Sequence, residues 1–494
     1  MPQGNFITEI LFDHTSKREF PFKKEKAKDL ITIMDHGLFN IILLGSAFMV
    51  LFTAFQATGM ISQSVLEGVK NETIHGSTFH GSGYISSAIL YACFAITNIF
   101  APAIVSMLRP ALAMFLGGTT YFLYVLSFIY PMTWSYYIVS ILVGIGAAVL
   151  WTAQGVYLTN NSDESTVSRN SGIFWALFQV SLLAGNIYVY IALKTEMIER
   201  ATRIPLFIVF SIVSAVGLVL FLFIIWRSYT ERKRDTLIRT EERGTIGDII
   251  PTLKIAVKLL KTRNMLLLLI PFAYTGFSQT FFQGVYGTCI GHYVKYGDTR
   301  KRLIGLHGML VGCGEILGGG IFGFITKPKT SSQRALMVFI GFVLQMIYYY
   351  SVFVNFPSDA SSQETSAKPY FDFSKKTSQV IAFSSSFIVG LGDSSINTQL
   401  MNVLATRYKQ STASAFAIFK LVQSLMAAVA FFYAGSIEIQ WQLLVVVIFL
   451  FFGTLAFFSV LFDETTDESM ANAVAVTVQD TDNDSYQNYS SSIA

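Results

Sequence analysis

Charge is what this 494-residue chain has least of: Asp, Glu, Lys and Arg together make up 13% of it, about half the share of an average soluble domain. With 52% hydrophobic residues and a mean hydropathy of +0.52, it cannot cover itself with polar surface, which excludes a soluble globular protein. Cysteine is also scarce. Cys93, Cys289 and Cys313 stand alone in or beside apolar segments, so no zinc or redox pattern exists and small core residues are expected. The formal charge of +4 is too small and too dispersed to mark a nucleic-acid surface. No nucleophile, metal or phosphate motif accompanies the few polar groups, so no enzyme, no catalytic residue, no metal and no cofactor are expected.

What the chain does have is long apolar runs. Runs of roughly 20 residues, enough to cross about 30 Å of hydrocarbon, begin near Leu38, Tyr84, Ala111, Trp134, Ser171, Pro205, Asn264, Leu303, Ala335, Ser378, Ala413 and Gln440. In lipid each backbone amide must find its partner within its own segment, so the twelve runs read as helices and the fold class as an all-α membrane protein. The lipid bilayer is its first partner. A polar N-terminal segment (1–37) precedes six spans (38–226), a basic linker (227–263), six more spans (264–462) and an acidic, Ser-rich tail (463–494) without Lys or Arg, expected to be disordered.

Lysine and arginine concentrate in the N-terminal segment, the linker and the Lys327, Lys329, Arg334 loop. All three fall on one side of a twelve-span arrangement, which predicts cytoplasmic termini. Lys295, Arg300, Lys301 and Arg302 argue against it, lying between spans seven and eight on the side that should be poor in positive charge. Asn71, in Asn-Glu-Thr between spans one and two, is an accessible glycosylation sequon on that same side.

The two six-span stretches repeat each other. Phe52-Thr53-Ala54-Phe55 of span one lies 222 positions before Tyr274-Thr275-Gly276-Phe277 of span seven, and the same offset puts Ile99-Phe100 on Ile321-Phe322. Later the offset grows to about 245, laying Gly144, Gly146 and Thr152 near Gly390, Gly392 and Thr398, and Gln179 near Gln423. Parallel six-span repeats joined by a long basic loop are the plan of the major facilitator superfamily.

Several stretches make the resemblance narrower: FNIILLGSAFMVLFTAFQ (39–56), GIGAAVLWTAQGVYLTNNSDE (144–164), RNSGIFWALFQ (169–179), GVYGTCIG (284–291), GEILGG (314–319) and GLGDSSINTQL (390–400). Through them the chain resembles the UNC-93-like branch of the major facilitator superfamily in animals. That resemblance implies divided functions: a secondary carrier of a small-molecule substrate, or a non-transporting regulatory subunit of the potassium-channel type or trafficking chaperone, whose partner is another integral membrane protein (a channel or receptor). It implies residence in the plasma membrane or an endolysosomal membrane.

Charges inside the spans are few. Glu315 in span eight, Asp393 in span ten and Lys420 in span eleven stand in apolar surroundings, and at 1.5 Å per residue they lie roughly 10–15 Å from the inner ends of their helices. A charge at that depth must face a cavity or another charge. Asp393 and Lys420 read as a static clasp between spans ten and eleven, as part of a proton- or substrate-responsive site, or as groups facing a partner protein. Gln56 and Gln154, with Asn98, Gln179 and Asn186, are neutral candidates for the opposite cavity wall or for interhelical bonds. Trp151 and Trp175 are candidates for stacking on a substrate or for aromatic core. Gly314, Gly318, Gly319, Gly320 and Gly323 read as close helix packing. The connection after span two, SMLRPALAM (106–114), keeps Arg109 as its only charge, without the acidic and basic loop motif typical of the superfamily.

Overall fold

The computed structural model describes residues 21–70, 72–74, 77–163, 166–194, 197–235, 249–325, 330–408 and 411–463. Asn71, the first twenty residues, the centre of the basic linker and nearly all of the acidic tail lie outside the described residues.

Among the described residues the regular secondary structure is helical apart from one antiparallel pair of two-residue strands, β1 (Thr73–Ile74) and β2 (Ser77–Thr78). The first half consists of α1 (Pro21–Val69), α2 (Gly83–Thr97), α3 (Ala101–Leu108), α4 (Pro110–Ser127), α5 (Thr133–Asn160), α6 (Val167–Ala192) and α7 (Arg200–Asp235). The short α8 (Ile249–Leu260) leads into the second half: α9 (Arg263–Thr280), α10 (Tyr286–His292), α11 (Arg300–Gly318), α12 (Ser331–Asn355), α13 (Lys375–Arg407), α14 (Thr412–Ala434) and α15 (Ile439–Leu461). Counting the ten apolar helices, the bent α2–α3 pair and the long α13 as crossings gives twelve, which puts the start of α1 and the end of α15 on one face, the termini face. The 356–374 connection lies on the opposite, far face.

Among the described residues ten helices are long and apolar enough to cross a membrane. Spans two and ten depart from the simple expectation. Span two is broken into α2 and α3, bent by 74°, where Pro102 in the first turn of α3 cannot continue the preceding helix. Span ten, α13, carries Ser384, Ser385, Ser386, Asp393, Ser394 and Ser395 and is too polar for the same measure. It is nonetheless 33 residues long and packs along α11 and α12. Its serines bond within the bundle: Ser386 Oγ donates to Ala382 O at 2.9 Å and Ser395 Oγ to Met337 O at 2.9 Å.

The repeat read from the sequence reappears as packing. Gly144 of span four closes on the Leu90 carbonyl of span two, and Gly390 of span ten closes on the Val311 carbonyl of span eight. Gly146 meets Thr120 of span three, and Gly392 meets Gln345 of span nine. Even the irregularities correspond. Ile99-Phe100 marks the break in span two, while its repeat mate Ile321-Phe322 lies in a π-helical segment, Gly319–Ile325, that extends α11. A second π-helical turn, Phe281–Val285, joins α9 to α10 within span seven. Of the glycines expected to pack closely, Gly314 and Gly318 do so against α13, whereas Gly320 has open space where a Cβ would stand and Gly319 meets Ser394 only at 3.7 Å. The π turn rotates those two off the contact face.

These contacts predict opposite results for two glycines. Gly144→Leu should lower the thermal unfolding midpoint of the purified protein, by about 1–3 kcal/mol of overpacking cost, because a backbone carbonyl cannot yield. Gly320→Ala should leave the midpoint unchanged or raise it.

Candidate functional site

Glu315, on α11, is only 8% exposed. Its Oε2 accepts a hydrogen bond from Gln179 Nε2 of α6 at 2.7 Å, a bond that crosses from the first half to the second. Residues four apart share a helix face, so Trp175 lies on the same face of α6 as Gln179, one turn towards the termini face. It is 42% exposed. Trp175 stacks on Trp151 of α5 with centroids 5.9 Å apart and planes 14° apart, and Trp151 in turn packs edge-on against Phe48, Phe52 and Phe178. The pair is thus part aromatic core and part open indole surface.

Asp393, half-buried on α13, accepts from Asn397 Nδ2 at 2.9 Å. On α14, Lys420 Nζ donates to Gln423 Oε1 at 3.0 Å and lies 5.1 Å from the centre of the Phe419 ring. Gln423 Nε2 donates onward to Thr275 Oγ1 of α9 at 3.2 Å. Asp393 is the electrostatic neighbour of both Glu315 and Lys420, yet no ion pair within 4.0 Å joins it to Lys420. The static clasp is therefore not what the structure shows: each charge is held by a neutral amide one turn or less along its own helix, leaving further hydrogen-bonding capacity on both.

The other polar candidates are elsewhere. Gln56 Nε2 donates to Ser181 Oγ at 3.1 Å, tying α1 to α6 within the first half. Gln154 is buried on α5 and bonds to none of the three charged groups. Asn98 caps α2 at the break, and Asn186 Nδ2 turns back to Leu182 O of its own helix at 2.8 Å, its side chain lying against Gly308 of α11. Arg109 is exposed and holds a positive φ of 70° between α3 and α4, with no gap in which a longer loop motif would fit.

A second cluster, on the far face, was not foreseen. Glu67, near the end of α1, lies with Oε2 2.6 Å from His292 Nε2 and 4.0 Å from Lys301 Nζ; its Oε1 accepts from Gln63 Nε2 at 3.0 Å. Lys301 Nζ and Arg300 Nη2 each meet Glu364 at 2.9 Å. Lys295 pairs with Asp372, and the Arg302 guanidinium sits 3.8 Å above the Tyr190 ring. The four cations that argued against the expected orientation are thus compensated, mostly by carboxylates of the 356–374 connection, rather than standing free as a topology signal. Tyr84 of α2 adds a bond to Ser361 O at 3.0 Å. The polar and ring contacts named here between the two halves, Tyr84–Ser361, Gln179–Glu315, Glu67–His292, Glu67–Lys301, Tyr91–Phe431 and Arg302–Tyr190, lie at the Gln179–Glu315 level or farther towards this face.

The arrangement is that of a major facilitator fold, two packed six-span halves with charged groups along their seam. Solved structures agree: a POT family transporter in complex with 5-aminolevulinic acid superposes with a TM-score of 0.58 at 12% identity, covering 86% of this chain and 95% of that one. A peptide transporter POT in complex with sulfate gives 0.57 at 11%, covering 86% and 93%. Those likenesses concern the fold alone. The family is set by sequence. The model described as "Ion channel regulatory protein UNC-93" matches residues 75–458, and UNC93-like protein MFSD11 of Xenopus laevis is 44% identical over 432 residues, 86% of this chain and 96% of that protein. Protein unc-93 homolog A of Bos taurus is 22% identical, covering 83% and 90%. This chain belongs to the UNC-93 family and is a multi-pass integral membrane protein.

The far-face cluster yields a prediction. Burial pushes the Glu364 carboxyl upward, but Lys301 and Arg300 outweigh it and hold the group below its ordinary value of 4.5. Its contribution to stability is therefore complete above about pH 4.5 and is lost as pH falls through the lowered value. Glu364→Gln strands two cations that are 1% and 2% exposed and should destabilise by about 2 kcal/mol, the low side for a broken buried pair because Glu364 itself is partly solvated. Unfolding of variant and parent at neutral pH should differ, and the difference should vanish in acid.

Proposed function

We propose that the protein is a secondary carrier of a small solute, moving it by rocking its two halves about a site where Glu315, Asp393 and Lys420 gather. The observation that carries this reading is the Gln179–Glu315 bond at 2.7 Å: a mid-membrane carboxylate is held by the opposite half, with Asp393 as its electrostatic neighbour and Lys420 as that of Asp393, those two unpaired with each other. A static membrane bundle gains nothing from two carboxylates and an ammonium at that depth, where a charge costs a few kcal/mol or more. The inter-half bonds named above, gathered in the seam's outer part, are of the kind that one end state of a rocking carrier would form.

A second reading has its own support. The family model is described as an ion channel regulatory protein, and the tight, strained Arg109 connection offers no room for a gating loop between spans two and three. On that reading the chain is an accessory subunit of another integral membrane protein, and its buried charges are inherited from a carrier.

The two are separated by paired measurements on tagged protein from native membranes. A carrier should copurify alone, and cells expressing it should accumulate at least one solute from a labelled panel under an imposed pH gradient. Asp393→Asn should abolish that uptake, at least tenfold, with unchanged surface level. A partner at near one-to-one stoichiometry, with uptake identical in parent and variant across the panel, overturns the carrier.

A further inference from the structure

His292 ends span seven with no exposed surface, and both of its ring nitrogens face acceptors. Nδ1 lies 2.9 Å from the carbonyl oxygen of Ala360, which can only accept, so Nδ1 carries a hydrogen. Nε2 lies 2.6 Å from Glu67 Oε2. A neutral imidazole has one N–H, already spent on Ala360, and would present a lone pair to a carboxylate oxygen at that distance. Two acceptors do not approach to 2.6 Å without a proton between them. Glu67 cannot turn its other oxygen to relieve the conflict, since Oε1 receives Gln63 Nε2 and Gln63 is itself fixed by the Gly83 and Tyr84 amides. His307 of span eight, also buried, shows the contrast. Its Nε2 donates to Phe282 O at 2.8 Å and its Nδ1 meets the Ser386 hydroxyl at 2.9 Å, so a neutral ring is satisfied there.

We propose that Glu67 and His292 bind one proton between them, forming a proton-binding site that bridges the two halves on the far face. With the proton present the pair is a charge-assisted bond from α1 to α10. Once it leaves, a carboxylate faces an imidazole lone pair, the bond becomes a repulsion, and that edge of the seam is released. Charged groups surround the site. Lys301 Nζ lies 4.0 Å from Glu67 Oε2, and Arg300 precedes it on α11. Glu364 offsets those two cations, and Tyr84 contributes a neutral phenol bonded to Ser361. Asp359 stands beyond, engaged by Gln363. The π turn Phe281–Val285 places a change of helical pitch directly before the segment that carries His292, which lets α10 move without dragging α9. The site would supply the proton dependence of the proposed carrier, and rests on that reading for its purpose, though not for its existence.

The test measures shape, not flux. Nitroxide labels at Lys194→Cys and Lys376→Cys, both exposed far-face positions in opposite halves, report the separation of the halves in the full-length protein with its three native cysteines replaced by alanine. As pH is raised from about 5 to about 8, the interval in which an ordinary histidine side chain changes charge, the distance distribution should pass from one short population to one with an added longer component. His292→Gln and Glu67→Gln should each remove the pH dependence while the protein elutes as a single folded species. An unchanged distribution in the parent overturns the proposal, as does an unaltered pH response in either variant. If the distances move as expected but no solute is ever accumulated, the carrier reading fails alone and the proton site stands.

Discussion

Hydrocarbon gives a charged side chain no solvent, so each charge taken into this bundle must be met by another part of the chain, and those meetings decide how the halves are joined. Two levels of the seam are built this way. At mid-membrane, Glu315 is met by Gln179; on the far face, Glu67 is met by His292 and Lys301. Between them the helices need only fit, and they do so through Gly305 and Gly308 of α11, where the backbone of α6 and the side chain of Asn186 leave no space for a Cβ. Apolar contact sets the spacing of α6 and α11, and the charges set which residues face each other along it.

The two levels differ in chemistry. The far-face cluster is nearly saturated: Glu364 serves two cations at 2.9 Å, and the connection that carries it is stitched to the helix ends by backbone bonds, Val294 N to Thr365 O at 3.0 Å and Thr365 N to His292 O at 3.1 Å. The mid-membrane group is not saturated. Asp393 and Lys420 attract each other without closing, each held by an amide that is weaker than the opposite charge would be. Saturated charge makes structure, whereas charge held short of saturation keeps the capacity to respond to a third party.

Much of this was legible in the sequence. Apolar run length gave the helices, the 222-residue offset gave the halves, and the rarity of charge singled out Glu315, Asp393 and Lys420. Even the alignment of Gln179 with Gln423 had content, since both amides hold a charged group. The hidden parts were hidden for physical reasons. Glu67 and His292 are 225 positions apart, and each alone reads as an ordinary residue at the end of a span. The π turns leave the apolar pattern of spans seven and eight intact, because one extra residue in a turn shifts a face without changing composition. The break in span two had a signal, Pro102 within an apolar run, which length alone overrode. Span ten passed as apolar because its serines are small, and the structure shows Ser385 and Ser386 satisfied by their own helix, Ser394 by α11 and Ser395 by α12.

The 356–374 connection has a further consequence. A long surface loop is ordinarily where a chain absorbs insertions, tags and evolutionary drift. Here the Ala360 carbonyl and Thr365 hold the end of α10, the Ser361 carbonyl holds the start of α2 and Glu364 holds the start of α11, so the segment works as a keystone rather than as slack. Changes of chain length are better tolerated outside the arch, in the linker between the halves or in the terminal segments, than at its crown.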